Sequence, residues 1–328
     1  MISAFVTGAS GFTGGHLCRF LVGKGYEVRA LFRSSESFKC SNLNQVTPVI
    51  GDLTDKESFN GVLTGIDVVF HIAAAFREET ADKEVFYQVN VQGTKNVLNE
   101  ALRAGVKKFI HCSTVGVHGE ILSPPANENS PFNPSDRYQK SKLEGEKVAL
   151  NFFKNSGING VVFRPAGIYG PGDKRFRKVF KLVNSGFFIM VGRGNVQYQL
   201  TYIDDLLAGI IALAEKKTES ASVYILAGKK AHTLNEIIEV LGKTINKKVR
   251  IIYLPIQPIY LTVSTFEWCS KLLNLRPILY KRRLDFFTKD RSFDISKAVT
   301  EIGYNPTINI EEGFRKTAIS YGIIPSPD

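Results

Sequence analysis

TGASGFTG, residues 7–14, follows a short apolar run (Ile2, Ala4, Phe5, Val6) and precedes Leu17, Phe20 and Leu21 at helical spacing. The first run suits a strand buried in a parallel sheet, and the second suits a helix with one apolar face. A glycine turn between them gathers free backbone N–H groups and the positive end of the helix dipole at one point. That point favours phosphate. Gly8 permits the tight turn, Gly11 lets the backbone approach a pyrophosphate, and Gly14 lets the helix close on the strand. Spaced glycines are common in turns, so it is the strand before and the helix after that give the pattern its meaning.

Working outward, residues 26–33 (YEVRALFR) read as a second strand. In a dinucleotide site the residue at its end faces the adenosine ribose, where a carboxylate suits a 2′-OH and an arginine suits a 2′-phosphate. Arg33 stands there and tilts the cofactor toward NADP(H), with NAD(H) as the alternative. Strands are predicted at 46–50, 67–71, 108–112 and 160–164, with helices at 56–63, 82–104 and 138–154. The helix at 82–104 sets Val85, Phe86, Val89, Val97, Leu98 and Leu102 on its apolar side, with Gly105 closing it. Residues 123–136 are a Pro-rich loop. Alternating strands and helices predict an α/β fold, a doubly wound parallel sheet of Rossmann type.

At RPAGIYGPGD (164–173) the composition shifts. A basic helix at 174–183 follows, and 195–203, 204–214 and 222–226 are expected to return to the sheet as strand, helix and strand. Asp204 and Asp205 are read as helix caps. The expected division is a dinucleotide-binding domain at 1–170, rejoined by 195–230, and a smaller C-terminal substrate lobe from 171–194 and 231–328. That lobe is expected to hold a helix at 234–245, a strand at 249–253, and helices near Ser296 and Glu311. Phe187, Phe188, Phe286 and Phe287 are expected in the core.

The 328 residues carry a formal net charge of +11, with 44% hydrophobic and 22% charged residues, as in ordinary globular enzymes. Lysine and arginine are scattered, apart from short clusters such as Lys281-Arg282-Arg283. The charge therefore suits small anionic ligands, and no nucleic acid is expected. Cys18, Cys40, Cys112 and Cys269 form no CxxC pair, so neither a metal site nor a disulfide framework is expected, and a cytoplasmic location fits. No stretch is long and apolar enough to span a bilayer. Residues 251–275, broken by Pro255, Pro258, Glu267 and Lys271, are read as a buried or groove-lining segment, with peripheral membrane contact as the lesser alternative.

Tyr138 and Lys142 are four apart on a predicted helix and share a face. An ammonium beside a phenol favours the phenolate, lowering an ordinary pKa of about 10 by roughly 1–3 units. Tyr138 could then exchange a proton with a substrate alcohol near neutral pH. Ser113 and Thr114, delivered by the strand at 108–112, could hydrogen-bond the same oxygen. His71, His111 and His118 are read as packed or hydrogen-bonding residues, of which His118 alone follows the Ser-Thr strand end closely enough to suggest a substrate contact.

Taken jointly, TGASGFTG, GDL (51–53), HIAA (71–74), NVQGT (90–94), CST (112–114), YQKSK (138–142), RPAGIYGPGD, YIDDL (202–206) and the late SKAVTEIGYNP resemble the extended short-chain dehydrogenases/reductases, the NAD-dependent epimerase/dehydratase family. The resemblance implies a dinucleotide held by Gly8, Ser10, Gly11, Phe12, Thr13, Gly14, Arg33, Asp52, Leu53, Ala73, Ala74, Tyr138, Lys142 and Pro165. Asp52 and Leu53 would lie at the adenine, and Asn90 on the structural side of the active site. It also implies Tyr138 as the acid/base, Lys142 on the nicotinamide ribose, and Thr114, with Ser113 beside it, as the hydroxyl group at the reacting oxygen.

Nucleotide-sugar members commonly carry an Arg-Asp pair where Tyr198 and Gln199 stand, leaving Arg193, Arg282 or Arg283 to meet a phosphate. Together with Arg33, this departure resembles the 3β-hydroxysteroid dehydrogenase and dihydroflavonol reductase branch. The expected function is hydride transfer to or from a secondary alcohol or ketone of a cyclic small molecule. The alternative is a nucleotide-sugar epimerase or dehydratase with no net redox change. A third reading, a non-catalytic dinucleotide sensor, would have no use for the Ser/Thr, Tyr and Lys set. A homodimer is left open.

Overall fold

The structure, a computed structural model, describes residues 1–76, 84–272 and 281–326, with side chains throughout except at 267–272 and 281–283. In its first half strands and helices alternate as β1 (Ser3–Thr7), α1 (Phe12–Gly23), β2 (Glu27–Phe32), α2 (Ser35–Lys39), β3 (Thr47–Ile50), β4 (Val68–His71), α3 (Val85–Tyr87), α4 (Gly93–Arg103), β5 (Lys108–Cys112), α5 (Arg137–Ser156) and β6 (Asn159–Pro165). The second half adds β7 (Gly167–Tyr169), α6 (Phe176–Asn184), β8 (Phe187–Val191), β9 (Gln197–Tyr198), β10 (Leu200–Tyr202), α7 (Ile203–Glu215) and β11 (Ser222–Leu226). It ends with β12 (His232–Thr233), α8 (Leu234–Thr244), β13 (Arg250–Leu254), α9 (Ile256–Leu272), α10 (Lys281–Thr288), α11 (Ser296–Ile302) and α12 (Ile310–Ser320).

Seven strands form one parallel sheet in the order β11-β6-β5-β4-β1-β2-β3. The order reverses beside β1, and in open α/β sheets ligands bind at such a reversal, beyond the carboxyl ends of the strands. Successive strand residues point to opposite faces, and two cores result. Ala4, Val6, Phe70, Ile110, Val161 and Phe163 join one core with Leu17 and Leu21 of α1. Phe5, Val69, Phe109 and Val162 join the other with Val97 of α4 and Ala149 of α5. Because both faces are covered at the centre of the sheet, β1 and β4 read in sequence as largely apolar runs.

Some expectations are corrected. The helix expected at 82–104 begins at residues outside those described and contains a π-helical turn, Gln88–Gln92, between α3 and α4. This turn changes the helical register, and Leu102 is exposed. The helix expected at 56–63 is only the 3-10 turn Lys56–Phe59. Of 195–230, β11 joins the large sheet, whereas β9 pairs with β12 and β10 pairs with β7. Asp204 and Asp205 lie inside α7, whose N-cap is Tyr202. Asp205 instead accepts the Thr307 and Ile308 N–H groups at 3.0 and 3.1 Å, so the C-terminal segment docks on that helix.

Phe188 is buried, but Phe187 is exposed on the outer side of β8. Of the segment at 251–275, read as buried or groove-lining, residues 273–275 lie outside those described; the rest is not buried throughout, and Ile256, Gln257, Tyr260, Leu261 and Ser264 line an open depression. Ile252, Tyr253, Leu254, Tyr260, Leu261 and Phe266 are exposed, because among the described residues β13 pairs only with β8, and α9 packs inward through Ile256, Ile259 and Val263. Its Glu267, Cys269 and Lys271, and the Lys281-Arg282-Arg283 cluster, have side chains outside those described. Among the described residues no helix is long and apolar enough to cross a membrane.

Candidate active site

The glycine turn is built as a cradle. Gly8 has φ +77°, and a Cβ there would sit 2.8 Å from the Ala73 backbone. At Gly14 a Cβ would lie 2.2 Å from the Gly8 carbonyl oxygen, so α1 touches the turn through bare backbone. Gly11 donates its N–H to Gly8 O at 2.9 Å and is the N-cap of α1 with no side chain to accept from the helix. The first-turn amides, Phe12 and Thr13 among them, are therefore left for a ligand. A pyrophosphate meets this requirement, and the residues present fit a dinucleotide.

Around the cradle, β1 and β4 are tied by a directional chain. Thr94 Oγ1 donates to Asn90 O at 2.8 Å, so it accepts from His71 Nε2 at 3.0 Å. His71 Nδ1 then accepts from Thr7 Oγ1 at 2.8 Å, and Thr7 Oγ1 takes the Ala73 N–H at 3.2 Å. Burial holds this imidazole neutral, its pKa pushed down to about 3. Asn90 bonds Ala75 N at 2.8 Å and Ser141 Oγ at 2.9 Å, fixing the exit of β4 to α5. His71, Thr7 and Thr94 are thus structural supports of the small-residue floor at Ala73 and Ala74. His111, fully buried, packs its ring 5.4 Å from His71.

Arg33 is exposed just beyond β2, ahead of the capping box that Ser34 and Ser37 make on α2. Asp52 holds Thr54 through its carboxylate at 2.8 Å, and Leu53 is buried, with its carbonyl accepting from Asn96 at 2.8 Å. Pro165 ends β6 and is buried.

At the other end of the track α5 begins at N-cap Asp136, which accepts from Gln139 N at 2.8 Å. Tyr138 therefore lies in the first turn. Thr114 caps the 3-10 turn Val115–His118 by accepting from Gly116 N at 3.1 Å, and it hydrogen-bonds the Tyr138 phenol. That bond favours the phenolate, as a hydroxyl donating toward the phenol oxygen does. Lys142 is buried and donates to Cys112 O at 2.5 Å.

The electrostatics correct one expectation. Burial pushes the Tyr138 phenol up, against the lowering pull of the Arg175 guanidinium and the Thr114 hydrogen bond. Lys142, itself lowered by burial, is spent on the Cys112 carbonyl rather than on the phenol. Arg175 and Phe76 are site residues that the sequence did not reveal. Phe76 packs edge-on to Tyr138 with ring centres 4.8 Å apart, and Arg175 lies 5.6 Å over the Phe76 ring. Arg175 is held by Asp173 Oδ1 at 3.1 Å and donates to Ile168 O at 3.2 Å. Only the GPGD turn brings it there, a long-range placement with no local signal.

Ser113 is turned away from Tyr138. Its hydroxyl donates to Glu146 at 2.5 Å, and Glu146 pairs with buried Arg164. His118, read from the sequence as a packed or hydrogen-bonding residue with a substrate contact as the lesser alternative, is buried in the same network: Nδ1 donates to Pro131 O at 3.2 Å and Nε2 accepts from Arg164 at 3.1 Å. Where an Arg-Asp pair would mark a diphosphate site, Gln199 is buried, bonding Gly228 O at 2.6 Å and Phe293 N at 2.7 Å. Tyr198 accepts from Arg291 at 2.5 Å and lies under its guanidinium. Arg193 is exposed.

The sequence profile of the NAD dependent epimerase/dehydratase family matches residues 4–227. The N-acetyl-alpha-D-glucosaminyl-diphospho-ditrans,octacis-undecaprenol 4-epimerase of Escherichia coli O157:H7 is 27% identical over 318 residues, 96% of this chain and 94% of that protein. The 3-beta-hydroxysteroid dehydrogenase of Mycolicibacterium neoaurum is 28% identical over 325 residues, 94% of this chain and 88% of that one. Among solved structures, the UDP-glucuronic acid 4-epimerase from Bacillus cereus in complex with NAD has a TM-score of 0.77 and 26% identity, covering 98% of this chain and 96% of that chain. The match takes in the whole track from cradle to tyrosine: the chain belongs to the NAD dependent epimerase/dehydratase family and is an NAD(P)-dependent enzyme of the extended short-chain dehydrogenase/reductase type.

Proposed function

We propose that the enzyme is a cytoplasmic NADP(H)-preferring dehydrogenase or reductase acting on a secondary alcohol or ketone of a cyclic substrate. The observation that carries this reading is the commitment of Tyr198 and Gln199 to Arg291, Gly228 and Phe293, which uses internally the position where nucleotide-sugar members commonly offer an arginine to a diphosphate.

The first-turn amides of α1 would hold the pyrophosphate, Arg33 the 2′-phosphate, Asp52 and Leu53 the adenine end, and Ala73, Ala74 and Pro165 the path to the nicotinamide. The bound nicotinamide supplies the carbon that gives or takes hydride. Tyr138 moves the proton at the substrate oxygen, and Thr114, hydrogen-bonded to that phenol, orients the oxygen. Lys142 fixes the strand end through Cys112 O, and its remaining N–H groups would meet the ribose. Ser113 serves as an anchor through Glu146.

A second reading, nucleotide-sugar epimerisation, is favoured by one observation, the Arg175 cation near Tyr138, which suits an anionic substrate group. Purified protein assayed with ketones, cyclic alcohols and nucleotide sugars, following NAD(P)H absorbance and sugar interconversion, separates the two. Net NADPH consumption with a ketone is expected. Retained NAD with sugar interconversion and no absorbance change would overturn the reading. Tyr138→Phe should cut turnover on the order of a thousandfold and leave dinucleotide binding nearly unchanged; near-normal turnover would remove Tyr138 from the acid/base role.

A further inference from the structure

The β8–β13 ribbon and α9 carry an apolar surface that the active site does not use. In the ribbon's parallel register Ile189 lies beside Ile252 and Phe187 beside Arg250, and Phe187, Ile189 and Ile252 are exposed on its outer face, whereas Tyr253 lies on the opposite face beside Met190 and donates to Asn235 Oδ1 at 3.2 Å. The chain then runs through Leu254 into α9, where Ile256, Ile259 and Val263 face inward. Gln257, Tyr260, Leu261 and Ser264, at spacings of three and four, form its outer stripe. Leu261 is 69% exposed and Tyr260 50%. Along this stripe, with Ile256, runs an open depression of about 470 Å³.

A surface of this kind needs a partner, and its charge indicates which. Residues 246–266 contain Lys247, Lys248 and Arg250 and no aspartate or glutamate, and the three cations are exposed at the start of the ribbon. Arg193, also exposed, follows its far end at Val191. Aliphatic side chains flanked by Tyr260 and by cations fit the boundary of an anionic bilayer. There apolar groups enter the acyl region, tyrosines sit at headgroup level and lysines meet lipid phosphate. A protein partner on this face would have to be both apolar and acidic, whereas an anionic bilayer offers both properties at once.

We propose that residues 187–191 and 250–266 dock the enzyme on an anionic lipid surface, with Tyr260 and Leu261 inserted and Lys247, Lys248 and Arg250 on the headgroups. The test is co-sedimentation of the full chain with vesicles of phosphatidylcholine containing phosphatidylglycerol and with vesicles of phosphatidylcholine alone. Binding to the anionic vesicles is expected to be at least tenfold stronger and to weaken with salt. The double variant Tyr260→Glu, Leu261→Glu should lose most of that binding while its turnover of a soluble substrate is unchanged. Lys247→Gln with Lys248→Gln, a milder change, should weaken binding without altering the fold. Failure of the wild-type chain to bind anionic vesicles, or equal binding by the variants, would overturn the proposal. So would sedimentation velocity showing a wild-type dimer that Tyr260→Glu, Leu261→Glu converts to monomer without vesicle binding, which would assign the face to a second copy of the chain.

Discussion

At the residue scale Tyr138, the proposed acid/base group, is governed by its immediate neighbours. Burial raises the Tyr138 phenol, and the Arg175 cation works against it. Removing that cation by Arg175→Ala should therefore move the rising, acid-side limb of kcat for alcohol oxidation to higher pH, because the phenolate needed to accept the proton forms later. The check is a kcat against pH profile on the alcohol, and an unmoved limb would leave Arg175 with no electrostatic part in the step. At the opposite end of the track, Arg33→Asp should weaken NADPH binding roughly tenfold to a hundredfold while changing NADH binding far less. Equal loss of both in a fluorescence titration would take Arg33 out of the ribose site.

At the scale of elements, the joints between strands and helices are made of bare backbone and buried hydrogen bonds. Gly14→Ala drives a methyl into the Gly8 carbonyl, so α1 must shift from β1. A loss of about 3 kcal/mol in a denaturant titration is expected, together with loss of dinucleotide binding. Wild-type stability would mean that the joint yields at little cost. His71 adds a pH dependence. Its folded pKa, about 3, lies below its ordinary value of 6.5, so between those limits the unfolded chain binds a proton that the native chain refuses. Stability from this group is complete above pH 6.5 and falls as the pH drops toward 3, by about 1.4 kcal/mol per pH unit. His71→Gln should flatten that slope in stability measured at several pH values. An unchanged slope would place the acid sensitivity elsewhere.

At the scale of the whole molecule, what could be read from the sequence divides by the range of the forces involved. The turn at Gly8 to Gly14, the strands and α5 with its Tyr138 and Lys142 announce themselves because each is set by neighbours within a turn or two. The sense of Ser113 could not be read, because Glu146 and Arg164, which capture it, lie 33 and 18 positions from their respective partners. Arg175 was legible only as part of a basic helix, since its nearness to Phe76 depends on how the GPGD turn folds over the site. The apolar run after Ile251 reads alike whether buried or exposed; its pairing with β8 is decided by the tertiary structure.

The Gln199 side chain joins three stretches far apart in the chain, its own, Gly228 and Phe293, through bonds of 2.6 and 2.7 Å. During synthesis from the N-terminus, residues 1–165 can assemble six of the seven parallel strands before any of this exists. The amide at Gln199 stays half satisfied until Phe293 has left the ribosome. A nascent chain thus completes the strand, turn and helix around Gly8 to Gly14 well before Gln199 can join its three stretches.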